Sequence, residues 1–269
     1  MTSDILTVTA NGAEIEYFKY GQGNLPLVVL PGLSIKSILL YKEMVAGTLK
    51  LFGESFEVYV FDRRKNLPSS YSIDDMAADY IAAFDALGIK NAGIYGISQG
   101  GMIALSLTIS RPDLAGALVL GSTASRIDEM AVDNVIEWNR LAHAKDEDGL
   151  ITAFASKVYS KAFYEQYGHL IREANKGITD EEFRRLAILT DEMAGFDVFG
   201  MLDLIKCPVL VMAGSDDAVL GFTASLDMIK QLDPEMCESY IFEGFGHAVY
   251  DENDEFKERA NAFFIKSLL

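Results

Sequence analysis

Ser98 sits in Gly96-Ile97-Ser98-Gln99-Gly100, a serine with a glycine two residues to either side. An apolar run ends at Ile97 and an apolar helical pattern begins at Gln99. A serine between a strand and a helix must make a sharp turn, and only small residues beside it leave room for that turn. Its hydroxyl then lies exposed at a helix N-terminus, where free N–H groups and the helix dipole favour developing negative charge. A serine hydroxyl is a weak nucleophile until a base takes its proton, and histidine is the usual base near neutral pH. The chain has three histidines, His143, His169 and His247. His247 follows Gly244-Phe245-Gly246 between an apolar run at Tyr240–Phe242 and the last helical pattern, so it is the candidate base. His143 is expected on the polar face of a helix and His169 in a loop after Gly168, both solvated. A base of this kind needs a carboxylate to fix its tautomer and stabilise the imidazolium. Gly214-Ser215-Asp216-Asp217 follows the apolar run Val209–Ala213, and Asp216 and Asp217 both qualify; whichever is unused is a turn or cap residue.

Acyl chemistry on such a serine also needs two N–H donors for the oxyanion. Gln99 N–H, next to the nucleophile, is one candidate. The other is Leu33 N–H in Leu30-Pro31-Gly32-Leu33-Ser34, where Gly32 lets the backbone come close.

The elements that must position these groups are legible as alternating patterns. Glu14–Tyr20 alternates with period two, as a strand with one polar face does. Leu27–Leu30, Val58–Phe61, Gly93–Ile97, Ala117–Leu120 and Val209–Ala213 are short apolar runs, as expected of strands buried on both faces of a parallel sheet. Between them Ile73–Leu87 has a helical period, with Ser72 and Asp75 as a loose capping box and Gly88 as its stop. Gln99–Ser110 is apolar around its circumference, which predicts a buried helix ended by Arg111-Pro112. Asp254–Leu269 predicts an amphipathic closing helix. Such alternation implies a parallel sheet with helices on both faces. Residues 125–201 break the rhythm with helical patterns only, at Ile127–Ala144, Asp148–Tyr159, Phe163–Ala174 and Thr179–Met193. They read as an inserted helical cap, with 1–124 and 202–269 as the core.

A net charge of −17 without a basic run argues against nucleic acid as a partner. No apolar run approaches the roughly 18 residues of a spanning helix, which argues against a membrane partner. The N-terminus lacks a signal-peptide layout, and the compartment reads as cytoplasmic. Cys207 and Cys237 are too few for a disulfide framework, lie at no metal-ligand spacing, and are expected as small buried hydrophobes at strand ends. No metal or organic cofactor is required. A small-molecule substrate is expected, and an exposed cap-helix face could pair two copies as a homodimer.

Taken together, Val28–Ser34, Phe61-Asp62-Arg63-Arg64, Tyr71–Ala86, Gly93–Gly101, Arg111–Ser122, Val209–Asp217 and Gly244–His247 resemble the α/β-hydrolase superfamily, in the branch with a helical cap after the sixth strand. The resemblance covers nearly all the chain outside the cap. It implies a mostly parallel eight-stranded sheet, the chain order Ser, Asp, His, and an acid three residues after the glycine that ends its strand, which selects Asp217. Pro31 stands where the family usually has histidine, and Lys65-Asn66-Leu67-Pro68 replaces the glycines that usually follow the Asp-Arg pair. The function implied is hydrolysis of a small, partly apolar carboxylic ester or related acyl compound through an acyl-enzyme. Carbon–carbon bond hydrolysis and cofactor-free haloperoxidase or perhydrolase chemistry use the same triad, and a non-catalytic receptor has no need of all three members. Trp138, Phe154, Tyr159, Phe163, Tyr164 and Phe196 make the cap aromatic, which favours an apolar group.

Overall fold

The computed structural model describes residues 2–269. The chain opens with a hairpin, β1 (Leu6–Ala10) and β2 (Ala13–Tyr20), closed by Asn11 and Gly12, both at positive φ. Asn-Gly is the pairing that such a turn demands, because both central residues need a left-handed backbone. The strands β3 (Leu25–Leu30), β4 (Phe56–Arg64), β5 (Ala92–Ile97), β6 (Ala115–Gly121), β7 (Val209–Gly214) and β8 (Cys237–Phe242) complete an eight-stranded sheet in the order β1-β2-β4-β3-β5-β6-β7-β8. Only the pairings of β2 with β1 and with β4 are antiparallel. The expected mostly parallel sheet is therefore present. β1 is the strand that the apolar runs did not reveal, since Leu6–Ala10 is short and only Val8 is buried.

Helices cover both faces. α1 (Lys42–Thr48) and the closing helix α10 (Asp254–Leu268) flank one face, where Phe256, Phe263 and Phe264 meet Phe52, Phe56 and Tyr95. α2 (Ile73–Leu87), α3 (Gln99–Ser110) and α8 (Phe222–Gln231) flank the other. The loose capping box is complete: Ser72 Oγ accepts from Asp75 N–H while the Asp75 carboxylate accepts from Ser72 N–H. α3 is buried over ten of its residues because it packs against β5, β6 and α2, and a second layer of helices is added elsewhere in the chain.

That second layer is the segment between β6 and β7. It holds α4 (Glu129–Ala144), α5 (Glu147–Val158), α6 (Lys161–Asn175) and α7 (Asp180–Asp191). Its two ends meet where Ile127 N–H donates to Phe196 O and Val198 N–H to Ser125 O, with Arg126 and Asp197 paired as an isolated bridge. His169, expected in a loop, lies inside α6: Gly168 carries a helical backbone there and does not end the helix. Cys207 is buried as expected, but Cys237 is only half-buried, because β8 is an edge strand whose first residues are partly open to solvent. Among the described residues no helix is long and apolar enough to cross a membrane.

Candidate active site

Ser98 is the residue between β5 and α3, and its backbone stands at φ 51, ψ −123. A non-glycine residue there is strained, and the strain persists only where the surroundings fix it. Ser98 N–H donates to Gly121 O at 2.8 Å, and the Thr123 hydroxyl donates to Ser98 O at 2.7 Å. Both clamps come from the end of β6. The flanking glycines are required by close approach. A Cβ on Gly100 would lie 2.0 Å from Leu30 O, and one on Gly96 2.8 Å from Gly100 O.

His247 is carried by the loop after β8, thirty residues beyond Asp217 in the loop after β7. The structure brings Ser98, Asp217 and His247 into one buried chain of contacts. His247 Nε2 is 3.0 Å from Ser98 Oγ, and Nδ1 is 2.8 Å from Asp217 Oδ2. The second Asp217 oxygen accepts the N–H groups of Val219 at 2.8 Å and Leu220 at 3.0 Å. Burial pushes the Asp217 carboxyl upward, but the His247 ring and those two N–H groups outweigh it and hold the carboxyl below its ordinary range. An ionised Asp217 selects the tautomer with hydrogen on Nδ1, leaving Nε2 free to accept the serine proton. Asp216, the other candidate, is exposed and accepts the Ser215 hydroxyl as a turn residue. His143 and His169 are exposed and far in the fold from this chain of contacts, on α4 and α6.

Gly32 lies against the nucleophile: a Cβ there would be 3.2 Å from Ser98 Cβ and 3.8 Å from Oγ. The backbone N–H groups of Leu33 and Gln99 find no acceptor among the described residues. Both donors therefore stand next in the chain to residues at the nucleophile, Gln99 to Ser98 and Leu33 to Gly32.

Sequence reasoning did not find what holds this loop. Arg63, at the end of β4, donates through Nη2 to Pro31 O and to Gln99 Oε1, both at 2.8 Å. The Gln99 side chain, fully buried, donates onward to Leu189 O of α7 at 2.8 Å. Arg185 of α7 reaches back to Asp62 Oδ1 at 2.7 Å and to Ser34 O at 2.9 Å. The loop that lacks the family's histidine is therefore gripped by two arginines through its carbonyl groups. The Asp62-Arg63 pair was the available signal, although the bonds that it makes span distant parts of the chain.

A cavity of about 330 Å³ opens onto Ser98, His247 and Leu33. Trp138, Phe154 and Tyr159, three of the six expected aromatics, line it together with Val158, Met193 and Val219. Further parts of the wall come from Ile38 to Leu49 and from α6. This is the size and apolar character of a site for a small organic molecule.

Known proteins share this architecture. A 3-oxoadipate enol-lactonase of Acinetobacter baylyi is 26% identical over 221 residues, which is 79% of this chain and 79% of that protein. Among solved structures, the enol-lactonase from Burkholderia xenovorans superposes with a TM-score of 0.83 at 19% identity, covering 97% of this chain and 100% of the other. A thermophilic esterase from Thermogutta terrifontis superposes with a TM-score of 0.81 at 17% identity, over 99% of this chain and 100% of the other. The model of the alpha/beta hydrolase family matches residues 27–259, and with that match the chain belongs to the alpha/beta hydrolase family of enzymes.

Proposed function

We propose that the protein is a serine hydrolase that cleaves a small, partly apolar carboxylic ester or lactone through an acyl-enzyme on Ser98. The contact chain Ser98 Oγ–His247 Nε2 and His247 Nδ1–Asp217 Oδ2, at 3.0 and 2.8 Å, carries the reading. Ser98 Oγ attacks the carbonyl carbon while its proton passes to His247 Nε2. Asp217, held ionised, stabilises the imidazolium. The carbonyl oxygen becomes an oxyanion held by the free N–H groups of Leu33 and Gln99. Collapse breaks the bond to the leaving group, which takes the proton back from His247. A water molecule, deprotonated by the same histidine, then attacks the acyl-enzyme and releases the acid and Ser98 Oγ–H.

In this reading α4–α7 form a cap over the cavity, and their aromatic residues receive the apolar part of the substrate. The apolar lining and modest volume favour a small substrate, and the named activities of the enol-lactonase and esterase relatives agree with an acyl substrate. A fluorophosphonate tests it. The wild type is expected to gain one phosphonyl adduct by intact mass, and Ser98→Ala none. An unlabelled but folded wild type, or an equally labelled Ser98→Ala, sinks the assignment.

A further inference from the structure

The cavity does not end at the catalytic serine. Its wall beside His247 also includes Tyr95 of β5 and Tyr250 and Asp251 of the short helix α9 (Val249–Glu252), an arm of the lining next to the catalytic histidine. We propose that this arm is a subsite for an ammonium group on the alcohol part of the substrate, recognised by Asp251 and walled by Tyr95, Tyr159 and Tyr250. The inference rests on the hydrolase reading above.

The carboxylate of Asp251 is accessible, lines the cavity, and makes neither a hydrogen bond nor an ion pair among the described residues. The charges around it are engaged elsewhere. Glu252 accepts from Ser160 N–H at 2.8 Å and Oγ–H at 2.6 Å, and Lys257 pairs with Asp254 at 2.8 Å. Lys36, the cationic side chain in the cavity wall, donates to Lys176 O. The arm therefore holds one negative charge with no ion-pair partner among the described residues. Although the side chain is accessible from the cavity, the protein packed around it pushes the Asp251 carboxyl up to about 6, with Lys257 opposing the shift. At neutral pH it still ionises.

The three tyrosine hydroxyls in the arm also lack partners among the described residues, while burial, followed by the charge of Asp251, raises them above their ordinary range. They stay neutral, so this part of the wall offers three aromatic side chains and a carboxylate, surroundings that favour an alkylammonium and repel an anion. The ring of Tyr250 stands edge-on to His247, centroids 6.3 Å apart. Because His247 returns its proton to the leaving group, the arm beside it receives the alcohol.

The test compares the choline and 3,3-dimethylbutyl esters of one short acid, which share a shape and differ by one charge. Wild type is expected to prefer the cationic ester by about tenfold in kcat/KM. Asp251→Asn should bring the two to near parity, and Asp251→Glu should keep the preference. A ratio read on one preparation cancels any loss of folded enzyme. Equal handling by the wild type, or an unchanged ratio in Asp251→Asn, overturns the subsite and leaves the hydrolase reading standing. Calorimetry of choline against 3,3-dimethylbutanol on Ser98→Ala, with and without Asp251→Asn, decides the subsite without turnover. Choline binding that depends on Asp251 supports it even if neither ester is cleaved, in which case the ester reading alone fails; absence of choline binding overturns it.

Discussion

Asp217 and Asp251 are pushed in opposite directions. Asp217 receives three N–H donors, so its ionised form is favoured despite burial. Asp251 receives none, so burial dominates and its carboxyl rises from 3.8 to about 6. The sign of the second shift makes a stability prediction. A carboxyl whose folded pKa is raised helps the fold while it is neutral; that help is complete below about pH 4 and is lost as pH rises through about 6. Removing the charge at pH 8 should therefore stabilise the protein. Asp251→Asn is expected to raise Tm by a few degrees at pH 8, a rise on the order of 2–4 °C per kcal/mol for a chain of this size, and to change it far less at pH 4. Because the side chain is accessible, solvent screens part of the effect. Thermal unfolding at the two pH values measures it. A variant that is less stable at pH 8 would mean that the carboxylate already has a partner. Such a cost at Asp251 would match the proposed subsite, in which an incoming cation supplies the missing partner.

At the scale of elements, the strands β3 to β7 and the helix α3 were legible because burial on all sides leaves continuous apolar runs, and α2 and α10 because each buries one face whose period the residues repeat. Ser98 and His247 were legible because each sits where an apolar run ends, whereas that position left Asp216 and Asp217 both open and only the family resemblance chose between them. β1 was missed although Asn11-Gly12 announces a hairpin, because Leu6–Ala10 is an edge strand with little buried surface. The grip on the Pro31 loop was hidden more deeply. Arg63 meets residues 32 and 36 positions away, and no local period encodes a contact that only the assembled sheet creates. This grip predicts an effect on rate. Arg63→Met leaves Pro31 O and Gln99 Oε1 without their donor and frees the loop that carries Leu33 N–H. If that N–H stabilises the oxyanion, kcat should fall by about 10²-fold with a much smaller change in KM, since the interaction is made only in the transition state. Steady-state kinetics on an ester, alongside circular dichroism to confirm the fold, checks this. A rise in KM at constant kcat would assign Arg63 to substrate binding instead.

Across the whole molecule, the helices over the cavity are anchored unequally, and that inequality bears on how a substrate enters. α7 is bolted to the core through Arg185 to Asp62 and Ser34 and through Leu189 O to Gln99, and it buries six of its residues. α6 buries none, although its residues alternate strongly between apolar and polar faces. Leu170 stays 57% exposed, while Leu40 and Met44 on the facing segment are exposed at 66% and 65%. What ties the end of α6 to that segment is two hydrogen bonds, from Tyr41 OH to Ala174 O at 3.1 Å and from Lys36 Nζ to Lys176 O at 2.7 Å. Solvent-accessible bonds of this kind are each worth about 1 kcal/mol, whereas the burial that secures α7 is worth several. Local opening should therefore begin at α6. Hydrogen exchange is expected to show its amides exchanging at least about tenfold faster than those of α7. Tyr41→Phe, which removes one of the two ties, should speed α6 further and leave α7 unchanged. Protection of α6 equal to that of α7 would describe four helices that move as one body, with entry to the cavity by way of the Arg126–Asp197 bridge rather than past α6.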